Sequence, residues 1–215
     1  MRAAVMYQPG DIRLEDVPEP TLSEGHVILK VAAVGVCGSD LPRMLTKGAH
    51  RMPLICDHEF PGHVHAVGDG VEGFREGELV AVPPLIACHK CDQCLTGNYS
   101  RCRDYDYFGS RRDGAYAEYV KVPKGNLLKT PEGIDPTAVA MTDPASIALH
   151  AIWKAPFTVG GTGAVVGCGA IGLFAIQWLK LMGASEIVAV DVSDRKLELA
   201  REAGAQADAY YASRS

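Results

Sequence analysis

Four cysteines occupy one short stretch of the chain, and their type and spacing suit a metal ion: Cys88, Cys91, Cys94 and Cys102. Two-residue gaps place the first three thiolates on one tight turn, and a short loop returns the fourth to it. Structural zinc takes four such ligands in a closed tetrahedron. Disulfide pairing is the alternative, but nothing in the sequence marks the chain as secreted. The spacing therefore predicts a structural zinc site.

A glycine-rich turn with Gly167, Gly169 and Gly172 follows an apolar strand pattern and opens a helix pattern. In dinucleotide-binding units the first glycine makes the tight turn, the second admits the pyrophosphate to the backbone, and the third lets helix and strand pack closely. Asp191 follows about 20 residues later, where a carboxylate accepts hydrogen bonds from the adenosine ribose and repels a 2′-phosphate. We therefore expect NAD rather than NADP. A glycine turn without a ligand is the alternative.

A second set of metal-ligating residue types lies earlier in the chain, at Cys37, His58 and Glu59. Each residue alone is as compatible with a structural role as with a functional one, since a lone cysteine usually packs as a small hydrophobic residue. Together with a nucleotide-binding pattern and a separate zinc lobe, they indicate a catalytic zinc with an open coordination position.

The elements that must position these residues change along the chain. Short β-rich runs separated by glycine and proline predict strands at residues 27–36, 63–67, 78–82 and 117–122. Residues 146–154 have a helical pattern, and a β-α-β sequence follows, with strands at 164–166 and 186–190 and helices at 171–182 and 195–202. A third strand begins near residues 209–211. The predicted fold class is α/β, with a β-rich domain (residues 1–150) before part of a doubly wound parallel sheet (residues 151–215).

Composition excludes some classes of protein. The 215 residues carry a formal net charge of -5, so no basic field is present to gather the phosphates of nucleic acid. Residues 155–179 hold no charged side chain, but Pro156 and six glycines divide them into a strand, a turn and a helix rather than a membrane span. Seven cysteines with metal-type spacing and no export signal predict a cytoplasmic protein. We expect no nucleic-acid or membrane partner.

These motifs resemble those of the zinc-dependent medium-chain alcohol and polyol dehydrogenases over the whole length of the chain. The resemblance rests on four strings: Cys37-Gly38-Ser39-Asp40, His58-Glu59-Phe60, the four-cysteine stretch and the glycine turn. Within that family, residues 37–43, 47–50 and 107–114 are similar to the branch that acts on galactitol 1-phosphate.

The resemblance implies a GroES-like catalytic domain followed by an incomplete Rossmann domain, and homo-oligomers like those of intact relatives. It implies that Cys37 and His58 hold a catalytic zinc, while Glu59 and Asp143 complete or exchange in its shell. Ser39 matches the hydroxyl that relays the alcohol proton. With NAD as hydride acceptor, the implied activity is oxidation of a secondary alcohol on a polyol or polyol phosphate.

Three departures from the family pattern are visible in the sequence. Asp57 stands where the family has glycine, Asp143 stands where it has glutamate, and the chain stops at Ser215, before the strands that would seat the nicotinamide. We therefore expect this chain alone to lack measurable turnover.

The substrate and the class of protein have alternatives. An unphosphorylated polyol or threonine is the alternative substrate, and a zinc-binding fragment without turnover is the alternative class. A phosphate group would need cationic anchors, since guanidinium groups match its geometry. The candidates, which a solvated basic loop explains equally well, are Arg43, Lys47, Arg111 and Arg112.

Overall fold

The computed structural model describes residues 1–210 of the chain. Contacts within the chain divide it into two compact units, Met1–Thr142 and the residues from Asp143 onward. The boundary expected at residue 150 falls inside the helix Thr142–Lys154. The offset arises because this helix is continuous, whereas the sequence pattern marked only residues 146–154 as helical.

The first unit is built mainly from antiparallel strands. They are β1 (Arg2–Gln8), β2 (Asp11–Asp16), β3 (His26–Val31), β4 (Leu54–Ile55), β5 (Pro61–Val67), β6 (Leu79–Ala81), β7 (Leu85–Ile86), β8 (Asp106–Tyr107), β9 (Tyr119–Pro123) and β10 (Leu128–Lys129). One sheet has the order β2-β1-β4, a larger one β10-β6-β5-β3-β9, and a third pairs β7 with β8.

The larger sheet supplies the core of the first unit. In β9, Val120 and Val122 are buried while Lys121 between them is partly exposed, the period-two alternation of a strand with one buried face. Valines and leucines from β3, β5 and β6 pack on the same face, together with Phe60 and Phe108, whose rings meet edge to face at 5.5 Å. The sheet thereby gives a rigid platform for the loops that leave it.

Short helical turns interrupt the loops of the first unit. They are α1 (Asp40–Pro42), a π-type turn (Arg43–Lys47), α2 (Asp92–Leu95), 3₁₀ turns at Tyr99–Arg101 and Lys124–Asn126, and α3 (Pro136–Ala140). The strand expected over residues 27–36 ends at Val31, so Cys37 lies within a loop rather than directly after the strand.

The second unit alternates helices with parallel strands. Its elements are α4 (Thr142–Lys154), β11 (Thr162–Val166), α5 (Ala170–Leu181), β12 (Glu186–Asp191), α6 (Asp194–Ala203) and β13 (Ala207–Tyr210). The strand order is β11-β12-β13, and Ile176 of α5 and Leu197 of α6 are buried with Ile187 of β12. The β-α-β prediction agrees with these elements to within a few residues, although Tyr211, expected in the third strand, lies outside the described residues.

The uncharged stretch at residues 155–179 is divided in the structure. It forms β11, the glycine turn and most of α5, which has 12 residues, whereas a membrane-spanning helix needs about 20. Within residues 1–210, no helix combines the length and apolarity needed to cross a membrane.

Two glycines let the chain pack backbone against backbone beside residue 57. The Gly114 N–H donates to the carbonyl of Ile55 at 2.8 Å, and a Cβ on Gly114 would overlap the carbonyl oxygen of Asp57. A Cβ on Gly109 would overlap the same peptide. Buried backbone groups require partners of this kind. The segment 55–57 is therefore held by a contact that a larger residue at position 114 would prevent.

We expect Gly114→Ala to destabilise the protein by about 3 kcal/mol, because the added methyl group meets fixed backbone rather than a side chain that can move. Gly125→Ala is the matched control, since its Cβ would meet nothing within 4 Å, and its effect should stay within about 0.5 kcal/mol. Urea denaturation followed by circular dichroism at constant zinc measures both. Equal midpoints for the two variants would contradict the packing argument.

Candidate functional site

The four-cysteine stretch folds into a small lobe with its sulfur atoms together. Cys88 follows β7, Cys91 precedes α2, Cys94 lies in α2 and Cys102 follows a 3₁₀ turn. Their four Sγ atoms all lie within 4.8 Å of one another. The structure thus brings together all four residues that the spacing predicted as a site.

The separation of the sulfur atoms fits a shared metal ion. Sγ of Cys88 and Sγ of Cys94 lie 3.9 Å apart. Two ligands on one tetrahedral zinc, each with a Zn–S distance of about 2.3 Å, are about 3.8 Å apart, whereas disulfide sulfurs are about 2.05 Å apart. The donor set and its spacing therefore fit zinc. Its presence stays a prediction.

Backbone hydrogen bonds favour the thiolate form of Cys91 in this lobe. Hydrogen bonds from the backbone N–H groups of Arg103 and Cys94 lower the pKa of Cys91 to about 6. The Arg103 side chain also fixes the loop, because its Nε donates to Asp92 Oδ1 at 2.5 Å. Thiolates rather than thiols bind metal ions, so Cys91 is favoured as a ligand. Burial raises the pKa of Cys94, so its thiol would lose its proton on binding a metal ion.

The second set of ligand types also converges. One ligand atom each from Cys37, His58 and Glu59 lies within 4.8 Å of the others. His58 and Glu59 are buried, at 4% and 7% exposure, while Cys37 is partly exposed. Burial raises the pKa of the Cys37 thiol, and the Ser39 hydroxyl, which donates to Sγ at 3.3 Å, partly offsets that rise. Sulfur, nitrogen and carboxylate donors with one exposed side match an open zinc site.

Asp40 is a residue of this site that sequence reasoning left without a role. Its carboxylate is fully buried, and Oδ1 accepts a hydrogen bond from Nη1 of Arg43 at 2.5 Å. Nδ1 of His58 lies 3.5 Å from the same oxygen. A carboxylate beside one ring nitrogen favours a proton there and leaves the other nitrogen for a metal. The sequence feature that could have indicated a role for Asp40 is its position three residues after the candidate ligand Cys37.

Asp57 adopts a backbone conformation that favours glycine. Its φ is +82°, in the left-handed region, and its side chain is fully buried. Oδ1 accepts the backbone N–H of Glu59 at 3.0 Å, whereas no hydrogen-bonding group among the described residues reaches Oδ2. Burial raises the pKa of this carboxyl to about 7. A glycine, which the resemblance leads us to expect here, would adopt this turn without these costs.

Asp143, the remaining residue predicted for this shell, lies in the first turn of α4 in the second unit. Its part in metal binding stays a prediction. Cys37, His58 and Glu59 all belong to the first unit.

The glycine turn of the second unit has the geometry of a phosphate-binding loop. Gly167 has a φ of +92°, which side chains rarely allow. The space beside Gly169 is open, whereas a Cβ on Gly172 would overlap the carbonyl of Gly167. The turn therefore needs its first and third glycines for folding, and its second glycine leaves room for a ligand to approach the backbone.

Asp191 ends β12 next to that turn. Oδ2 accepts the N–H of Cys168 at 2.7 Å, and Oδ1 accepts the N–H of Ser193 at 3.0 Å. These bonds, that from Cys168 foremost, lower the pKa of the carboxyl, so it is charged at neutral pH. Asp191 therefore places negative charge beside the expected ribose site.

A cavity of about 730 Å³ opens in the first unit beside the second ligand set. Ser39 and His58 form part of its wall, together with basic and hydroxyl-bearing side chains from the π-type turn and from β8 and the loop after it. A volume of this size holds a small organic molecule. The cavity therefore places any such molecule in contact with the candidate metal shell.

Comparison with known proteins agrees with this architecture. Residues 23–132 match the alcohol dehydrogenase GroES-like domain, and residues 170–215 match zinc-binding dehydrogenase. A GroES-like β domain followed by a parallel β-α-β unit defines an oxidoreductase of the medium-chain type. The chain belongs to the zinc-binding alcohol dehydrogenase family, as its motifs predicted.

Individual relatives differ in substrate. Galactitol 1-phosphate 5-dehydrogenase of Escherichia coli K12 is 39% identical over 206 residues, covering 95% of this chain and 60% of that protein. Sorbitol dehydrogenase of Bacillus subtilis 168 is 35% identical over 211 residues, with the same coverage. L-threonine 3-dehydrogenases and (R,R)-butanediol dehydrogenase are further relatives. The chain spans about 60% of the length of these curated relatives.

Solved structures show the same fold. The crystal structure of galactitol-1-phosphate dehydrogenase from Escherichia coli matches with a TM-score of 0.93 at 39% identity, covering 97% of this chain and 60% of that one. Similar structures include a Sinorhizobium meliloti dehydrogenase bound to NADP and an Escherichia coli CFT073 dehydrogenase complexed with NADH.

We expect two zinc ions per purified chain and one in a Cys91→Ser variant, because the four-thiolate set loses a ligand while the Cys37 set keeps all of its own. A closed structural site supplies folding energy of about 10 kcal/mol in small zinc modules, so its loss should also lower the melting temperature. Elemental analysis after dialysis measures the zinc. Cys168→Ser, which alters a buried thiol outside both sets, is the control. Unchanged zinc in Cys91→Ser would refute the lobe assignment.

Proposed function

We propose that the protein is a zinc-dependent, NAD-linked dehydrogenase that oxidises a secondary alcohol of a polyol phosphate, converting galactitol 1-phosphate to a keto-sugar phosphate. The observation that carries this proposal is the cavity of the first unit. One wall holds Ser39 and His58 of the candidate metal site together with the cations Arg43 and Lys47. A galactitol 1-phosphate dehydrogenase and an L-threonine 3-dehydrogenase are both 39% identical to the chain, so the cavity rather than the identity favours the phosphorylated polyol.

Two metal roles follow from the two ligand sets. Cys88, Cys91, Cys94 and Cys102 would hold a structural zinc, because four thiolates close the coordination sphere. Cys37, His58 and Glu59 would hold the catalytic zinc, with Asp143 as a further ligand or an exchanging one. Zinc at such a site supplies Lewis acidity, which lowers the pKa of a substrate hydroxyl.

The chain's own residues would bind the alcohol and move its proton. Ser39 lies on the cavity wall with its hydroxyl 3.3 Å from Sγ of Cys37, so it is placed to accept the proton of a substrate hydroxyl and pass it outward. Asp40 would hold the His58 ring in orientation through the 3.5 Å contact with Nδ1. The ring of Tyr107, 5.5 Å from that of His58, would limit how the substrate chain turns.

NAD would accept the hydride, which is the chemistry of the cofactor. Gly167, Gly169 and Gly172 would admit its pyrophosphate to the N-terminus of α5, whose backbone N–H groups point towards a bound anion. Asp191 would accept the ribose hydroxyls and disfavour a 2′-phosphate. Two cations follow Asp191 in the chain: Arg195 pairs with Glu198 at 2.9 Å, whereas Nζ of Lys196 lies 3.8 Å from Oδ2 of Asp191 itself. The choice of NAD over NADP therefore rests on the Asp191 carboxylate, whose charge Lys196 partly offsets.

The free cysteines of the chain bear on its cellular compartment. All seven cysteines are free thiols, and thiolate zinc sites persist in reducing compartments. We therefore assign the protein to the cytoplasm. The family resemblance, rather than the cysteines, is the basis for proposing a homo-oligomer that acts on a small-molecule substrate.

The test is NADH formation at 340 nm by the zinc-loaded protein at its natural length, with galactitol 1-phosphate, free galactitol and L-threonine compared. We expect the phosphorylated polyol to give the highest kcat/KM. We also expect Cys37→Ala to abolish turnover, because it removes a ligand of the catalytic zinc. Turnover of L-threonine or free galactitol alone would overturn the substrate assignment. Bound zinc and NAD without any turnover would select the alternative of a zinc-binding protein that is not an enzyme.

The cofactor preference can be tested separately by changing the charge of Asp191. In Asp191→Asn, repulsion of a 2′-phosphate disappears while an oxygen acceptor remains, so the preference for NAD over NADP should fall about tenfold, equivalent to about 1.4 kcal/mol. Calorimetric titration with each nucleotide measures the two dissociation constants. Glu202→Gln makes the same charge change near the end of α6, away from the turn, and should leave the preference unchanged. An equal shift in both variants would point to the general field instead of Asp191.

A further inference from the structure

The wall of the cavity in the first unit is cationic and rich in hydroxyl groups. Arg43, Lys47 and His50 contribute basic side chains, and serines and tyrosines contribute hydroxyls. No aspartate or glutamate is among the lining residues within the described part of the chain, although acidic residues outnumber Lys and Arg overall, 26 to 21. Such a wall suits a ligand that carries both hydroxyl groups and a negative charge.

A tight turn brings two of the cations to the same wall. Arg43–Lys47 forms a π-type turn, closed by a hydrogen bond from the Gly48 N–H to the carbonyl of Arg43 at 2.9 Å. Residues four apart on a helical turn lie on one side of it. Arg43 and Lys47 accordingly both line the cavity.

These two cations differ in whether their charge is already balanced. Arg43 donates to the buried carboxylate of Asp40, and only 18% of its side chain is exposed. Lys47 is exposed and takes part in no ion pair among residues 1–210. Arg43 therefore serves chiefly to fix Asp40, whereas the charge of Lys47 is available to a ligand.

Arg111 and Arg112, the other two candidate phosphate anchors, do not line this cavity. Arg112 pairs with Asp106 at 2.7 Å and lines a different cavity. Arg111 lies over the ring of Tyr105, with its guanidinium carbon 4.4 Å from the ring centroid. Of the four candidates, Lys47 alone combines a place on the cavity wall with an unbalanced charge.

We propose that Lys47 binds the phosphate group of the substrate and thereby determines the preference for a phosphorylated over a free polyol. This inference rests on the proposed function, because it concerns the substrate of the same cavity. A lysine ammonium forms charge-assisted hydrogen bonds with phosphate oxygens, and these are stronger than bonds between neutral groups. The substrate hydroxyl that is oxidised would then lie beside the Cys37 ligand set, and the phosphate group of the substrate would lie beside Lys47 in another part of the same cavity.

Binding measurements on the zinc-loaded 215-residue chain test this role without requiring turnover. Calorimetry gives dissociation constants for galactitol 1-phosphate and for galactitol, in the wild type, Lys47→Ala, Lys47→Arg and Lys30→Ala. Lys30 is an exposed lysine of β3 outside the cavity wall, so its variant controls for the loss of one positive charge. Losing a charged hydrogen bond should weaken binding of the phosphorylated ligand on the order of tenfold to a hundredfold.

We expect this weaker binding of galactitol 1-phosphate in Lys47→Ala only. The affinity of that variant for free galactitol should change by less than about threefold. In Lys47→Arg, the affinity for galactitol 1-phosphate should be largely restored. If wild type prefers the phosphorylated ligand and Lys47→Ala retains that preference, the role of Lys47 is refuted while the proposed function stands. If wild type binds both ligands equally, the phosphorylated substrate of the proposed function is itself refuted, and the role of Lys47 with it. An equal loss in Lys30→Ala would show a general field effect and also refute the inference.

Discussion

Backbone packing beside residue 57 fixes the direction of the two ligands that follow it. Gly109 and Gly114 let the Asp57 peptide approach closer than any side chain would permit, and a left-handed φ at Asp57 then turns the chain. His58 and Glu59 leave that turn buried and close to Cys37, which comes from a different loop. Because strands of the first unit carry both loops, the candidate site depends on long-range packing as much as on its ligands.

Asp40 connects two side chains of this site. It is buried between Arg43, which donates a hydrogen bond to Oδ1, and His58, whose Nδ1 lies 3.5 Å from the same oxygen. Breaking a buried pair leaves an uncompensated charge, which is costly. Because Arg43 is paired with Asp40, its charge is already balanced within the protein. Lys47, on the same cavity wall, is the cation whose charge is available to a ligand.

Features encoded by short spacing could be predicted from the sequence. The four-cysteine lobe and the β-α-β unit with its glycine turn depend on neighbours within about 20 residues, and the family followed from the same strings. Features created by the folding of irregular loops could not. Asp40 acquires its contact only when the loop of His58 folds against it, and Arg112 pairs with Asp106 only when the loop after β8 turns back. The end of β3 before Cys37 is set by where its partner strands end.

The most direct test of this account is a crystal structure of the zinc-loaded chain with anomalous data collected at the zinc edge. We expect two peaks in the first unit. One should be enclosed by the sulfurs of Cys88, Cys91, Cys94 and Cys102 at about 2.3 Å, and the other should contact Cys37 and His58 and face the cavity that Ser39 lines. A single peak in the four-cysteine lobe, with none at Cys37 under saturating zinc, would contradict it.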